Sequence, residues 1–178
     1  MKMPARNAGF TLIELLITVT LVGIFAVLAI PSLTEMMATQ RLRSTADNLH
    51  ISALQARSIA LRDNQLVVVR PVDDDTNWKK GWNVFIDTDR DNLLGTNTLV
   101  ITPEALPDDI DVTKATGGGN NFFGYEGTGF LASIGGSANA TWKISSTRTT
   151  KIRCLIIERT GRARVHDPFP ATTCPSSS

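Results

Sequence analysis

Residues 9–30 read GFTLIELLITVTLVGIFAVLAI, an apolar run that carries a single charge, at Glu14. The 21 residues from Phe10 to Ile30 would measure ~32 Å as a helix at ~1.5 Å per residue, which matches the hydrocarbon thickness of a bilayer. We therefore predict a membrane-spanning helix over residues 10–30. A lone carboxylate in hydrocarbon costs a few kcal/mol, so Glu14 is expected to have a partner.

The nine residues at the start of the chain contain Lys2 and Arg6 but no acid. A secretory signal peptide would need a small-residue cleavage site after its apolar core, and the sequence that follows Ile30 has no Ala-x-Ala pattern. The change in character lies instead before the apolar run, between Gly9 and Phe10. We therefore interpret residues 1–9 as a separate leader.

The run from Gly9 to Glu14 resembles the start of type IV pilins and of type II secretion pseudopilins, whose precursors carry a short basic leader that ends in glycine. The resemblance implies that a prepilin peptidase cleaves between Gly9 and Phe10 and that Phe10 is then N-methylated. It also implies a partner for Glu14, namely the freed amine of Phe10 in a neighbouring subunit. An ordinary single-span anchor with a stray acid is the alternative.

Beyond the apolar run the sequence predicts an amphipathic continuation of the helix over residues 31–64. Pro31 is expected to kink or locally break the helix, because it lacks a backbone donor and clashes with the preceding turn. Small and apolar residues recur at spacings of 4, 3, 4, 3 and 4 and predict one buried stripe: Leu42, Ala46, Leu49, Ala53, Ala56 and Ala60. Four arginines lie off this stripe and are expected to be solvated or to face neighbouring subunits: Arg41, Arg43, Arg57 and Arg62. We expect the helix to end near Asp63, and no role is assigned to His50.

The run ALQARSIALR at 53–62, with the strand-like residues 66–69, is similar to the GspH/FimT group of minor pilins and pseudopilins. The segment GWNVF at 81–85 fits the same group. The resemblance implies an α+β, type IV pilin-like fold, in which a long helix packs on an antiparallel β-sheet head at 65–178. It further implies a single-pass protein of the inner membrane whose head lies in the periplasm. The protein would contact membrane lipid before assembly and then assemble with other pilins or pseudopilins. The function expected is that of a minor pilin, a non-catalytic structural subunit in the initiation or tip complex of a type IV pilus. The alternative is an H-class pseudopilin of a type II secretion system.

The head is predicted to be a series of short antiparallel strands separated by turns. The predicted strands cover residues 65–70, 82–87, 98–101, 109–113, 122–125, 128–132, 141–145, 151–158 and 162–166. Six glycines between Gly117 and Gly129 predict that residues 117–140 are rich in loops.

Nothing in the sequence predicts catalysis, a cofactor or a metal site. The acidic run DTDRDN at 87–92 resembles a calcium loop, but Asn92 and Thr98 stand where an EF-hand has its glycine and glutamate, so a solvated turn is predicted. The histidines are His50 and His166, and no nucleophile-elbow motif occurs. In a chain directed to a membrane, Cys154 and Cys174 are expected to form a disulfide that pins residues 167–170 to the head.

Charge is unevenly distributed along the head. Residues 72–126 hold eleven acids and four bases, whereas residues 143–164 hold seven bases and one acid. The basic end predicts an anionic partner there. In the predicted return strand, period two places Arg162, Arg164 and His166 on one face, where forked guanidinium groups suit phosphate oxygens. Arg159 and Arg153 are expected to extend that face.

The sequence Gly161-Arg162-Ala163-Arg164 resembles the Gly-Arg-x-Arg element of FimT proteins that bind DNA during natural transformation. The resemblance implies double-stranded DNA as a further partner, although Gly-Arg at this turn is also common in relatives that do not bind DNA. The alternative is that these arginines pair with acids of residues 72–126 or with neighbouring subunits.

Overall fold

The computed structural model describes residues 10–73, 77–102, 104–117, 121–134 and 139–175, apart from the side chains of 26–31 and 73. The chain forms two compact units, Met1–Met37 and Ala38–Ser178. The predicted leader, residues 1–9, lies outside the described residues. The side chains at the end of the predicted membrane span, residues 26–30, lie outside them as well.

A single helix, α1, covers Leu12–Asp63. In the first unit its large apolar side chains from Leu12 through Phe25 are exposed, and so is Phe10 just before the helix. The hydroxyls of Thr18 and Thr20 donate to carbonyl oxygens one turn back in the helix, so they need no outside partner. Within the described part of the chain, no helix combines the length and the apolar character needed to cross a membrane. The membrane span over residues 10–30 stays a prediction.

The helix is continuous through position 31, so the predicted local break at Pro31 does not occur. A helix can continue past a proline by bending, although the hydrogen bond from the missing N–H is lost, and the predicted kink stays a prediction. The helix ends at Asp63, as predicted, because Asn64 adopts a left-handed conformation with φ of 52° that terminates helices.

In the second unit the predicted buried stripe of α1 is confirmed. All six of its residues are fully buried in the main core: Leu42, Ala46, Leu49, Ala53, Ala56 and Ala60. The expectation for the off-stripe arginines is wrong for two of them, because Arg41 and Arg57 bind groups of the head. Their long side chains reach around the helix to acceptors that the sequence pattern does not reveal. Arg43 and Arg62 are exposed, as expected.

The rest of the second unit consists of antiparallel strands, and each overlaps a predicted one. The strands are β1 (Leu66–Asp73), β2 (Asn77–Asp87), β3 (Thr98–Ile101), β4 (Ile110–Thr116), β5 (Phe123–Tyr125), β6 (Ala140–Ser146), β7 (Thr149–Ile157) and β8 (Ala163–His166). One sheet has the order β3-β2-β1-β5 and the other the order β4-β6-β7-β8. The predicted α+β arrangement is therefore confirmed.

Both sheets contribute alternate side chains to one core that also contains the stripe of α1. Among its largest members are Trp78, Trp82, Tyr125 and Trp142, all fully buried. The indole N–H of Trp82 donates to the Ser52 hydroxyl at 3.0 Å, which ties β2 to the helix. Every buried apolar residue among those described lies between Ala38 and Ala163, so the second unit holds its own core.

The predicted strand over residues 128–132 is wrong. The segment forms a tight turn, in which the Gly129 N–H donates to the Glu126 carbonyl at 2.7 Å and Gly129 has φ of +77°. The strand pairing of this segment is limited, among the described residues, to an isolated bridge between Leu131 and Tyr125. The positive φ reverses the chain here, and the Ala132 N–H then donates to the Gly124 carbonyl of β5 at 2.8 Å, which closes the turn onto that strand.

Arg41 and Asp109 join α1 to the start of the second sheet. The guanidinium Nη1 lies 3.0 Å from Asp109 Oδ1, and the Ser146 hydroxyl donates to Oδ2 at 3.1 Å. Burial acts to raise the pKa of Asp109, but the hydrogen bonds from Arg41 and Ser146 outweigh it and hold that pKa below its usual value.

Replacing Asp109 by asparagine is expected to destabilise fragment 38–178 by roughly 1 kcal/mol near neutral pH. Because the pKa of Asp109 is lowered in the folded state, its contribution is present above the unfolded value of about 3.9 and is lost as pH falls through the folded value. Urea unfolding at about pH 7 and about pH 3 measures this, with exposed Asp108→Asn as the control. An equal loss at both pH values would contradict the electrostatic origin.

Candidate nucleic-acid interface

The basic end of the chain forms a β-hairpin made of β7 and β8. A tight turn joins them, in which the Gly161 N–H donates to the Glu158 carbonyl at 2.8 Å and the Glu158 N–H donates to the Arg162 carbonyl at 3.0 Å. Gly161 has φ of +80°, a conformation that glycine adopts without strain. We call residues Arg159–Arg164 the basic turn. It lies at one edge of the second sheet, because β8 is an edge strand.

Three arginines of the basic turn are exposed: Arg159, Arg162 and Arg164. Arg164 stands opposite Ile156 of β7, so both side chains lie on the same face of the sheet. Its Nε is 3.7 Å from Glu158 Oε1, a long and solvent-exposed ion pair that contributes little. Among the described residues, neither Arg159 nor Arg162 has an ion-pair partner.

Arg153 does not extend this face, and that expectation is wrong. Arg153 is only 6% exposed, and its Nη1 lies 2.6 Å from Asp167 Oδ1. The register explains the difference: Cys154 pairs with His166, so Arg153 points to the opposite face from Arg164. Arg153 therefore pairs with Asp167 across the hairpin. His166, which was placed beside Arg164, is half-buried.

The predicted disulfide between Cys154 and Cys174 is confirmed. Cys154 lies between Ile152 and Ile156 on one face of β7, and all three are buried with Cys174 packed against them. The bridge holds the residues after β8 over this apolar face. The bridge therefore ties the segment that contains residues 167–170 to the head, as predicted.

Two side chains of α1 hold the basic turn, and sequence reasoning missed both. The Arg57 Nε donates to the Gly129 carbonyl at 2.9 Å, and its Nη2 donates to the Thr160 carbonyl at 3.0 Å. His50 Nε2 lies 3.1 Å from the Ala163 carbonyl oxygen. The only available signal was that the two residues are seven apart and so share a helix face.

The acidic loop after β2 is more ordered than the solvated turn that was predicted. Asp87 is buried, and its two carboxylate oxygens accept hydrogen bonds from the backbone N–H groups of Arg90 at 2.9 Å and Asn92 at 3.0 Å. Burial, and then the hydrogen bond with Asp89, raise the pKa of Asp87. Oxygens of Asp87, Asp89 and Asp91 lie within 4.8 Å of one another. The loop's own donors use these oxygens, so we interpret the cluster as loop structure.

Of the two residues at the predicted cleavage site, Phe10 belongs to the first unit, and Gly9 lies outside the described residues. Phe10 is 85% exposed. Glu14 Oε2 accepts hydrogen bonds from the N–H and the hydroxyl of Thr11, each at 3.0 Å, and the Thr11 hydroxyl accepts one from the Glu14 N–H at 3.3 Å. This reciprocal arrangement is a capping box at the first turn of α1.

Two family descriptions match the sequence. The family described as Type II transport protein GspH matches residues 45–161, and the prokaryotic N-terminal methylation motif matches residues 4–30. No protein of curated function matches the chain significantly.

Solved structures of two proteins share the fold at low sequence identity. The type IV minor pilin FimU of Pseudomonas aeruginosa has 16% identity and a TM-score of 0.58, over 72% of this chain and 90% of that one. A second crystal form of FimU has 17% identity and a TM-score of 0.55, over 70% and 92%. The minor pseudopilin EpsH of the Vibrio cholerae type II secretion system has 12% identity and a TM-score of 0.54, over 72% and 98%. These likenesses confirm the predicted type IV pilin-like fold.

Proposed function

The chain belongs to the GspH family, and from this membership we propose that it is a minor pilin of a type IV pilus whose basic turn binds double-stranded DNA. Its coarser function follows from the family: it is a minor pilin or pseudopilin, a structural subunit of a type IV pilus or of a type II secretion system. The choice of the pilus and of DNA as a ligand is the proposal.

The observation that carries DNA binding is the exposure of three arginines within six residues at one edge of the second sheet. Guanidinium groups form forked, charge-assisted hydrogen bonds with phosphate oxygens. Because Arg162 and Arg159 have no carboxylate partner among the described residues, they are available to such a ligand. Contacts of this kind would be salt-sensitive and largely independent of base sequence.

A second candidate is an H-class pseudopilin of type II secretion. The matching family description names type II transport, and EpsH, which has the same fold, belongs to such a system. The exposed basic turn favours the pilus, because a secretion pseudopilin has no evident use for unpaired arginines there. Neighbouring genes for other minor pilins would support the pilus, whereas genes for secretion components would support the alternative.

The proposal includes the route to the filament. Cleavage between Gly9 and Phe10 by a prepilin peptidase and N-methylation of Phe10 are supported by the match to the methylation motif. Before assembly the chain would be held by inner-membrane lipid through residues 10–30, with its second unit in the periplasm. That compartment is oxidising, which fits the Cys154–Cys174 disulfide.

Replacing both Arg162 and Arg164 by alanine is expected to weaken the binding of fragment 38–178 to a duplex of about 30 base pairs at least tenfold at low salt. The loss of two phosphate contacts should also reduce the slope of log affinity against log salt by about 1.8. Titrations from about 50 to 200 mM salt measure both quantities.

The matched control for this test is the double variant Arg43→Ala, Arg148→Ala, which removes the same charge from two exposed positions outside the basic turn. It is expected to bind nearly as well as the wild type. Equal weakening by the two double variants would mean that net charge, and not the basic turn, determines binding. Unchanged binding by Arg162→Ala, Arg164→Ala would refute the proposed DNA site.

A further inference from the structure

Arg57 connects three parts of the second unit at a single point. It lies on α1, half-buried, and its guanidinium donates to the carbonyl oxygens of Gly129 and Thr160 at 2.9 and 3.0 Å. Gly129 belongs to the turn after β5, and Thr160 belongs to the basic turn. A planar guanidinium can hold two carbonyls in fixed relative positions, which a lysine ammonium on a flexible chain does less well.

The two turns that Arg57 joins are in direct contact. A Cβ atom on Gly161 would lie 1.9 Å from the Gly129 carbonyl oxygen and 2.9 Å from Arg57 Nε. The Leu131 N–H donates to the Arg159 carbonyl at 3.0 Å, which adds a hydrogen bond between the same segments. The centre of the basic turn, at Gly161, is thus packed tightly against the turn that contains Gly129.

His50 supports the basic turn at its other end. It lies two helical turns before Arg57, and its Nε2 is 3.1 Å from the Ala163 carbonyl oxygen, at which distance its N–H can donate. The carbonyls held from α1, those of Thr160 and Ala163, flank Gly161 and Arg162. The backbone that carries Arg162 is therefore held from the helix on both sides.

We propose that Arg57 is a positioning residue for DNA binding: by binding the carbonyls of Gly129 and Thr160 it fixes the basic turn, so that Arg159 and Arg162 are presented to phosphates before DNA arrives. This inference rests on the proposed function. Arg57 acts through the backbone of the turn, because its Nε and Nη2 are already engaged with protein acceptors. A turn ordered in advance loses less freedom on binding and therefore binds more tightly.

The test uses the full chain in detergent micelles and a duplex of about 30 base pairs at low salt. Arg57→Lys, which keeps the charge, is expected to weaken binding about fivefold, because the fork between the two carbonyls is lost. Exposed Arg43→Lys is the matched control and should bind as the wild type does. Arg57→Lys combined with Arg162→Ala should bind less than about fivefold more weakly than Arg162→Ala alone, because part of the effect of Arg57 is exerted through Arg162 and only the part through Arg159 remains.

Amide hydrogen exchange gives a second readout that does not depend on DNA. In Arg57→Lys the Gly161 amide, which donates to the Glu158 carbonyl, is expected to exchange at least about fivefold faster, with no change in the Arg43→Lys control. Unchanged exchange of the Gly161 amide in Arg57→Lys overturns the positioning role. So does wild-type affinity for DNA in that variant. A double variant whose loss of affinity equals the product of the two single losses overturns it as well. If the wild type binds no DNA, the proposed function fails, and the exchange result alone decides whether Arg57 holds the turn.

Discussion

Replacing Gly161 by alanine is expected to lower the free energy of unfolding of fragment 38–178 by about 3 kcal/mol. Part of this loss is conformational, because φ of +80° costs a residue with a Cβ about 1–2 kcal/mol. The rest is steric, since the new Cβ would stand 1.9 Å from the Gly129 carbonyl oxygen. This closest contact is with backbone, which cannot give way as the end of a flexible side chain can, so the two turns must separate.

Gly95→Ala is the control for the conformational part. Gly95 also has positive φ, +41°, but a Cβ there would meet nothing within 4 Å. Its replacement is therefore expected to cost only about 1 kcal/mol. Urea unfolding of both variants measures the difference. If Gly161→Ala and Gly95→Ala lower the free energy of unfolding equally, the contact between Gly161 and Gly129 does not constrain the head.

The two residues of the Gly-Arg element, Gly161 and Arg162, therefore have separate roles. Gly161 is required by the backbone contact with the turn after β5, whether or not the protein binds DNA. That requirement explains why Gly-Arg alone is a weak indicator of a ligand. The informative part is the exposed guanidinium of Arg162, which has no carboxylate partner among the described residues.

The parts of the fold that follow from local periodicity could be predicted from the sequence. The buried stripe of α1 repeats every three to four residues, and each strand is bounded by turn residues, so Leu42 through Ala60 and the strand positions were recognisable. The face of Arg153 required more than local periodicity, because the pairing of Cys154 with His166 is what relates the two faces of β7 to the side chain of Arg164. The burial of Arg153 depends on Asp167, which only the hairpin register brings beside it.

The contacts that hold the site could not be predicted in the same way. Arg57 binds backbone carbonyls at Gly129 and Thr160, and every residue type has such a carbonyl. No sequence pattern therefore marks the partners of Arg57. The turn at Gly129 has a different cause: the strand prediction over 128–132 relied on the apolar residues Phe130 and Leu131, whereas Gly127 and Gly129 beside them are typical of a turn.

Glu14 has a role within its own subunit besides the one that the pilin resemblance implies. In the isolated chain its carboxylate accepts hydrogen bonds from the Thr11 N–H and hydroxyl in a capping box. In a filament it is expected to pair with the freed amine of Phe10 in a neighbouring subunit. Loss of assembly in a Glu14 variant could therefore arise from a frayed helix or from a lost ion pair.

Two substitutions distinguish these causes. Glu14→Gln keeps an acceptor for the capping box but removes the charge, and we expect its incorporation into filaments to fall to less than about a tenth of wild type, because an amine left unpaired in an apolar environment costs a few kcal/mol. Thr11→Ala keeps the charge and removes the cap, at a cost of about 1 kcal/mol to the helix, so most incorporation should remain.

The measurement is the amount of each variant in filaments sheared from cells, relative to its amount in the membrane. Membrane levels control for expression and insertion. The opposite ranking, with Thr11→Ala excluded from filaments and Glu14→Gln incorporated, would assign Glu14 to helix capping and remove the ion pair from the assembly mechanism. Thr11 and Glu14 lie one helical turn apart and share one hydrogen-bond network. The two variants therefore compare the loss of the Glu14 charge with the loss of the helix cap at the same place in the chain.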